Sequence, residues 1–482
     1  MSYKRKRISG RIIFTAAVLL TLVILTVCTL IGQRDSAEDT SAAHTTTSVE
    51  ETDLLEAMIS RPAAEQLDAF LPDYTSAVIL NTTLIKDLSL EVGSDASQLR
   101  MNWMSPSDEP GCVRWTDTVT GETTDFTADC EVSATVSGCY LNKATATGLE
   151  PGVTYRYQVG NDTAWSPVYS YQAPQQTDTL TFLVTSDAQI GQSDMEISEL
   201  TADRWDRVLN RLTTYVPEAN FIFHLGDQVA DFGCEKHYRL FLDHLPLYRI
   251  ALAPVVGNHD VANSYTTEEY GRPGNTYFYD HFNVPNRSEM GQSESDKDGN
   301  YYFIRNDVLF IVLNSLTASG GDEQEQYVKQ IVNEHPDTRW RILAEHFPAY
   351  SGAQNSGSNV GEYLPRIAAD YQIDLVLTGH DHVYSRSAFT NRDSDVLTDY
   401  NYAGGAVAIN PVGPMYLTCG TSSGCLYHFP KAEEHIVYQG QVNSPMGIRI
   451  DVNEEELHIR SYLVDTWTMF DEYTIRKDDS AS

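Results

Sequence analysis

Acidic, amide and imidazole side chains recur where apolar segments end in the second half of this chain. Five short sequences share this placement: Ser186-Asp187-Ala188-Gln189, Gly226-Asp227, Gly257-Asn258-His259-Asp260, Glu345-His346 and Gly379-His380-Asp381-His382. In open α/β sheets, functional groups gather beyond the carboxyl ends of the strands, where loops converge on one crevice. Carboxylates, amide oxygens and imidazoles bind divalent metals. The sequence therefore predicts one metal-binding crevice built from all five.

These residue types suit the hydrolysis of phosphate esters. Two cations about 3.5 to 4 Å apart neutralise the phosphate oxygens and make a hydroxide available at neutral pH. One carboxylate can bridge such a pair while imidazoles and other oxygens complete each shell. A lone Gly-Asp or histidine is more often structural, so it is the combination and order that favour an enzyme. The alternative is a surface-binding module with a vestigial metal site.

The segments around these motifs alternate between strand and helix patterns from about residue 178 onward. Apolar runs such as TLTFLVTSD, NFIFHLGD and LAPVVGNHD predict strands, and ISELTADRWDRVLNRL has helical periodicity. YYFIRNDVLFIVLNS predicts a hairpin. We expect an α/β catalytic domain over residues 178–482.

Residues 76–174 have a different pattern, with short segments of alternating polarity separated by Gly, Pro, Asn and Asp turns. This pattern predicts a small β-sandwich. Within it, Leu149-Glu-Pro-Gly-Val-Thr-Tyr155 has the form of a tyrosine corner, in which a phenol hydrogen-bonds to the upstream backbone. The region has no cluster of ionisable groups, so we expect a structural role.

The N-terminal part predicts a membrane anchor. Residues 12–31 carry no charge and are long enough to span a bilayer as a helix. Basic residues precede this run and acidic sequence follows it, so the positive-inside rule places a tail over 1–11 in the cytoplasm. We expect an anchor over 12–32, a tether over 33–75 and a single-pass protein with its catalytic domain outside the membrane. Secretion after signal cleavage is the alternative.

Charge and cysteine content narrow the function further. The formal net charge of −34 repels polyanions, so we expect no nucleic-acid partner. Six cysteines follow the apolar run, in a compartment that would permit disulfides. Cys419 and Cys425 would close a small loop and are the favoured pair, with separate buried thiols as the alternative.

The order Asp-x-Gln, Gly-Asp, Gly-Asn-His-Asp, His and Gly-His-x-His resembles that of the calcineurin-like metallophosphoesterases. With the preceding β-sandwich, the chain resembles their purple acid phosphatase branch, which has a fibronectin-III-like N-terminal domain. The resemblance implies a four-layer α/β/β/α sandwich. It also implies metal ligation by Asp187, Gln189, Asp227 and His382 at a first site, and by Asp227, Asn258, His346 and His380 at a second. Asp227 would be the bridge.

The same resemblance implies that His259 contacts substrate and donates a proton to the leaving group, while Asp260 orients its imidazole. Tyr384 and Arg386 either face the substrate or pack in the interior. The expected function is acid phosphatase-like hydrolysis of phosphomonoesters by a metal-bridging hydroxide. A phosphodiesterase or a phospholipid or wall-polymer phosphoesterase is the alternative, because the same ligands serve diesters.

Two positions depart from the purple enzymes and bear on the metals. Ala230 stands where those enzymes have an iron-binding tyrosine, and Gln189 ends a motif that more commonly ends in His. We therefore expect two divalent ions, drawn from Mn, Fe or Zn. Mn is favoured and Mg is an alternative, because oxygen-rich shells suit these harder metals.

Overall fold

The computed structural model describes residues 84–192, 198–261, 276–288, 299–314, 316, 321–354, 356–397, 401–402 and 407–478. The predicted basic tail, anchor and tether lie outside these ranges. Within them, no helix is both long enough and apolar enough to cross a membrane.

The described strands form two large β-sheets and one smaller sheet. The strands of the first half are β1 (Lys86–Val92), β2 (Gln98–Ser105), β3 (Cys112–Asp117), β4 (Thr123–Thr127), β5 (Asp129–Val132), β6 (Tyr140–Thr147), β7 (Thr154–Asn161), β8 (Ala164–Trp165), β9 (Tyr169–Gln172), β10 (Leu180–Thr185), β11 (Phe221–His224) and β12 (Ala251–Pro254). Those of the second half are β13 (Tyr301–Arg305), β14 (Val308–Val312), β15 (Trp340–Ala344), β16 (Leu375–Thr378), β17 (Tyr384–Ser387), β18 (Asn401–Tyr402), β19 (Val407–Ile409), β20 (Met415–Thr418), β21 (Ile436–Gly440), β22 (Met446–Val452), β23 (Glu456–Leu463) and β24 (Thr468–Arg476). The helices are α1 (Ser198–Tyr215), α2 (Glu235–Leu242), α3 (Thr276–His281), α4 (Asp322–Glu334) and α5 (Leu364–Asp370).

The catalytic region is a four-layer sandwich, as expected. One sheet has twelve described strands in the order β18-β19-β24-β23-β22-β10-β11-β12-β1-β2-β6-β5, and the other has seven in the order β13-β14-β15-β16-β20-β17-β21. Aromatic rings fill the space between the sheets, since Phe310 of the second meets Phe182 and Phe221 of the first edge-on, at centroid distances of 5.3 and 5.4 Å. Such contacts add to the large apolar area that aromatic side chains bury.

Helices cover the outer faces of both sheets. In α1, the buried residues Ala202, Trp205, Leu209 and Leu212 recur at three- and four-residue spacing and form one apolar stripe. Trp205 stacks on Phe241 of α2 with centroids 5.5 Å apart. Helices α4 and α5 pack with the second sheet in a separate apolar cluster. The sequence prediction of an α/β rhythm with a hairpin through β13 and β14 is confirmed.

The N-terminal region differs from a self-contained sandwich. Strands β3, β4, β7, β8 and β9 form a five-stranded sheet of their own. Strands β1, β2, β5 and β6 instead extend the large sheet of the catalytic region, because β1 pairs in parallel with β12. The tyrosine corner is present, with the Glu150 N–H donating to the Tyr155 hydroxyl at 2.8 Å.

Candidate metal centre

Parallel strands of the two sheets place the predicted ligands at one edge. Strands β10, β11 and β12 run parallel in one sheet, and β14, β15, β16 and β20 run parallel in the other. Each predicted ligand follows the carboxyl end of one of these strands within a few residues: Asp187 and Gln189 after β10, Asp227 after β11, Asn258 after β12, His346 after β15, His380 and His382 after β16. The loops therefore meet across the gap between the sheets.

The side chains form two donor groups that share one carboxylate. In one, ligand atoms of Asp187, Asp227 and His382 lie within 4.8 Å of one another, and the same holds for Asp227, His346 and His380 in the other. Asp227 is common to both. This arrangement fits the predicted bridging role, since one carboxylate can hold two cations side by side.

The backbone turns sharply at these residues. Asp187, Asp227, His380 and His382 all have positive φ, between 50° and 68°. Left-handed backbone is unfavourable for non-glycine residues and clusters at functional sites. Two glycines allow the loops to approach each other. A Cβ at Gly257 would lie 2.1 Å from the Asp227 nitrogen, and one at Gly379 would lie 2.1 Å from Ser186 Oγ.

Two imidazoles are held with one nitrogen facing the carboxylates. The Nδ1 atoms of His346 and His382 each lie 2.8 Å from a backbone carbonyl oxygen, of Leu225 and Leu426 respectively. A carbonyl only accepts, so Nδ1 carries the proton and Nε2 is the candidate ligand atom. His346 Nε2 lies 3.3 Å from Asp227 Oδ2, and His382 Nε2 lies 3.2 Å from Asp187 Oδ1.

The donor set fits two divalent ions. Asp187 is fully buried, and its Oδ1 accepts no hydrogen bond among the described residues. Burial lowers the pKa of His380 to about 4, so its ring is neutral. Burial also opposes protonation of His346, yet the Asp227 and Asp187 carboxylates raise its pKa to about 9. Without metal, protons on imidazoles balance the buried carboxylates, and cations would replace them.

Gln189 and Asn258 both contact this centre. The Gln189 Nε2 donates to Asp227 Oδ2 at 2.9 Å, and the Asn258 Oδ1 lies 3.1 Å from His346 Nε2. Asn258 therefore already presents its oxygen to the second donor group. Gln189 presents its nitrogen, and a half-turn of the amide would exchange it for the oxygen that a metal requires.

His259 lies at the open side of the centre. Its side chain is 36% exposed, and its Nε2 lies 4.0 Å from Asp227 Oδ2. The Nδ1 lies 2.9 Å from the carbonyl oxygen of Ala230. This contact orients the ring with Nε2 available for proton transfer, so the carbonyl of Ala230 has the role that we predicted for Asp260.

Asp260 holds the backbone of two ligand loops. Its carboxylate is fully buried and accepts hydrogen bonds from four N–H groups: those of Asp227 at 2.7 Å, Gln228 at 2.8 Å, Val229 at 3.3 Å and Gly257 at 2.8 Å. The prediction that Asp260 orients the His259 imidazole is wrong. Asp260 is a positioning residue that fixes where Asp227 and Asn258 point.

Sequence reasoning missed Cys425. Its Sγ lies 3.6 Å from Gln189 Oε1, beside the first donor group. The expected pairing with Cys419 is wrong, since both are free thiols. The even cysteine count suggested a disulfide, whereas the position of Cys425 in the loop after β20 was the signal that could have placed it near the metal ligands.

Tyr384 and Arg386 have interior packing roles. The Tyr384 hydroxyl donates to Asp471 Oδ2 at 2.8 Å, and Arg386 Nε donates to the same oxygen at 2.7 Å. Both side chains are buried. Of the two roles considered for this pair, packing is the one observed.

Two sequence families match the two parts of the chain. Residues 180–384 match the calcineurin-like phosphoesterase family, and residues 85–173 match the purple acid phosphatase N-terminal domain. The chain therefore carries a calcineurin-like phosphoesterase domain, preceded by a domain of the kind found at the N-terminus of purple acid phosphatases.

Among individual proteins, purple acid phosphatase 15 of Arabidopsis thaliana is 23% identical over 310 residues, covering 58% of this chain and 53% of that protein. This chain thus spans about half the length of that relative. An uncharacterized Mycobacterium tuberculosis protein is 36% identical over 75 residues, or 14% of each chain.

Several solved structures share the fold. A purple acid phosphatase from yellow lupin seeds superposes with a TM-score of 0.64 at 14% identity, covering 83% of this chain and 76% of that one. The structure of PhoD gives 0.56 at 14% identity, with coverage of 83% and 92%.

Proposed function

We propose that this protein hydrolyses phosphate monoesters at a two-metal centre outside the membrane. The observation that carries the proposal is the pair of donor groups sharing Asp227, with the partly exposed His259 imidazole 4.0 Å from that carboxylate. The family match to calcineurin-like phosphoesterases and the purple acid phosphatase relative support the same chemistry.

Each residue has a distinct role in this proposal. Bound metal ions would screen the phosphate oxygens and lower the pKa of a water molecule. Asp227 would hold both ions, Asp187, Gln189 and His382 would complete the first site, and Asn258, His346 and His380 would complete the second. The His259 Nε2 donates a proton to the departing ester oxygen, which general acid catalysis requires.

The proposed metals are divalent, with Mn²⁺ as the first candidate. Ala230 offers no phenolate to the first site, and carboxylate and amide oxygens suit Mn²⁺ or Mg²⁺ better than Fe³⁺. The purified protein should be colourless and should regain activity with Mn²⁺ after chelation. A purple protein as isolated would contradict this assignment.

The decisive experiment compares p-nitrophenyl phosphate with bis-p-nitrophenyl phosphate. Residues 73–482 form one compact unit and are suited to the assay. Faster turnover of the monoester, abolished in Asp227→Ala, would support the proposal. Faster turnover of the diester would favour the alternative, a phosphodiesterase or a phospholipid or wall-polymer phosphoesterase. No turnover of either by metal-loaded protein would favour a non-catalytic binding module.

For the location, we propose a single-pass anchor over residues 12–32 with the catalytic domain outside. The uncharged run over 12–31, with basic residues before it and acidic residues after it, supports this topology. Protease added to intact cells should release an active fragment by cutting within 33–75. Complete protection of the catalytic domain would place it in the cytoplasm, and a soluble protein in the medium without protease would indicate secretion after signal cleavage.

A further inference from the structure

A second cluster of metal-ligating side chains lies between the N-terminal region and the catalytic region. It consists of Asp87 on strand β1, Glu235 at the start of α2 and His281 at the end of α3, with ligand atoms within 4.8 Å of one another. None of these residues belongs to the catalytic donor groups. We propose that this cluster binds one further divalent ion, with zinc as the best fit, and that this ion fastens β1 to α2 and α3.

The His281 imidazole is held as a ligand. Its Nδ1 lies 2.7 Å from the carbonyl oxygen of Tyr277, so Nδ1 donates and Nε2 faces Glu235 Oε2 at 3.1 Å. His346 and His382 show the same arrangement at the catalytic centre, with Nδ1 on a backbone carbonyl and Nε2 toward a carboxylate. Hydrogen bonding of the second ring nitrogen orients metal-binding histidines in general.

Each of the two carboxylates has one oxygen that accepts no hydrogen bond from the described residues. Asp87 Oδ1 and Glu235 Oε1 are buried and accept no hydrogen bond within the described part of the chain. The Asp87 side chain is only 2% exposed, and Arg239 Nε lies 3.8 Å from its Oδ1, beyond hydrogen-bond distance. A buried carboxylate oxygen without a donor is costly. A cation between the two carboxylates would remove that cost.

The surrounding structure aims Asp87 into this cluster. The β1–β2 pairing is irregular between Lys86 and Ser89, and Asp87 lies in that irregularity with a φ of 49°. Bulges of this kind redirect a side chain out of the regular alternation. On the opposite side, Asp280 accepts hydrogen bonds from the Ser133 hydroxyl at 2.8 Å and the Thr135 backbone N–H at 2.9 Å, which holds α3 against the N-terminal region.

The donor set suggests the metal. One imidazole and two carboxylates are ligands that Zn²⁺ accepts, and a water molecule can supply the fourth position of a tetrahedral shell. Calcium prefers six to eight oxygen ligands, which this cluster does not offer. The competing arrangement has no metal, with a protonated His281 as the counter-charge to Glu235 and Asp87.

Metal counting separates these arrangements. In Asp187→Ala/Asp227→Ala protein, which lacks the carboxylates of the catalytic centre, equilibrium dialysis against zinc followed by elemental analysis should find one equivalent per chain. Adding Glu235→Gln or His281→Gln to that background should remove it. His458→Gln is the matched control, because His458 also faces a glutamate, Glu472, at 2.9 Å but on the exposed surface. This control variant should still bind one zinc ion per chain.

Stability measurements provide a second readout that does not depend on activity. Added zinc should raise the Tm of the Asp187→Ala/Asp227→Ala protein, and this rise should disappear with Glu235→Gln. If His281→Gln does not fold, the Glu235→Gln comparison decides the question. The proposal would be overturned if the Asp187→Ala/Asp227→Ala protein bound no zinc, or if Glu235→Gln left the one bound zinc ion in place. The metal-free ion pair between His281 and the two carboxylates would then be the correct arrangement. Failure of phosphatase activity would not affect this outcome.

Discussion

The Asp260 carboxylate offers a quantitative test of how the metal centre is held together. Its Oδ2 accepts from the Asp227 and Gly257 nitrogens, and its Oδ1 accepts from the Gln228 and Val229 nitrogens. In Asp260→Asn, the amide oxygen serves only one of these pairs, and the NH₂ group faces the other. Two buried N–H groups lose their acceptor, at a cost of about 1 to 3 kcal/mol each. The free energy of unfolding should fall by about 2 to 6 kcal/mol, a large part of the 5 to 15 kcal/mol typical of a folded domain.

Urea unfolding of metal-free protein measures this loss without a contribution from bound ions. Asp231→Asn is the control, because exposed Asp231 accepts a backbone N–H from Gly233 at 2.9 Å and should lose less than about 1 kcal/mol. In catalysis, Asp260→Asn should lower metal content but leave the pKa values in the kcat/KM pH profile unchanged. The proposed role of Asp260 in holding the backbone would be refuted if Asp260→Asn lowered the free energy of unfolding by less than about 1 kcal/mol and also shifted a pKa in the pH profile. That result would support the original prediction that Asp260 orients His259.

Four further outcomes follow from the site. Asp227→Ala should empty both metal sites and abolish turnover, whereas Asn258→Ala should weaken only the second, as elemental analysis would show. His259→Ala should keep both metals and lower turnover by about 10²- to 10⁴-fold, with a smaller loss when p-nitrophenolate is the leaving group. Loss of metal in this variant would show that His259 is a ligand. Gln189→His should tighten the first site by about 10- to 100-fold, and unchanged affinity would show that this position does not control it. Because the pKa of His346 is raised to about 9, a proton competes with metal for its Nε2. Apparent metal affinity should therefore fall about tenfold per pH unit below 9, and an affinity that does not change with pH would contradict this.

The sequence predicted that the candidate ligands lie close together, because the information for this placement is local. Each ligand directly follows an apolar strand, and parallel strands bring their carboxyl ends to one edge. Asp187, Asp227 and His346 could therefore be placed together from their motifs alone. The helix over Ser198–Tyr215 could also be predicted from the sequence, since its buried residues recur with helical spacing.

Features that depend on distant contacts were not predictable in this way. The carboxylate of Asp260 was assigned to the neighbouring imidazole, although it bonds to backbone groups about thirty residues upstream. Cys425 reaches Gln189 only through the meeting of the two sheets. Asp87, Glu235 and His281 belong to three elements that no motif connects. Spacing along the sequence does not predict these contacts, because only tertiary folding brings the residues together.

The pairing of β1 with β12 has a consequence for how the chain can be divided. Strand β12 lies within the large sheet only because β1 covers its outer side. A fragment that begins at residue 178 would contain all the predicted catalytic ligands but would expose the backbone N–H and C=O groups of a buried, apolar strand. Uncovered edges of this kind recruit strands from other molecules and cause aggregation. Loss of the N-terminal region by proteolysis or gene truncation should thus yield insoluble protein rather than a smaller enzyme.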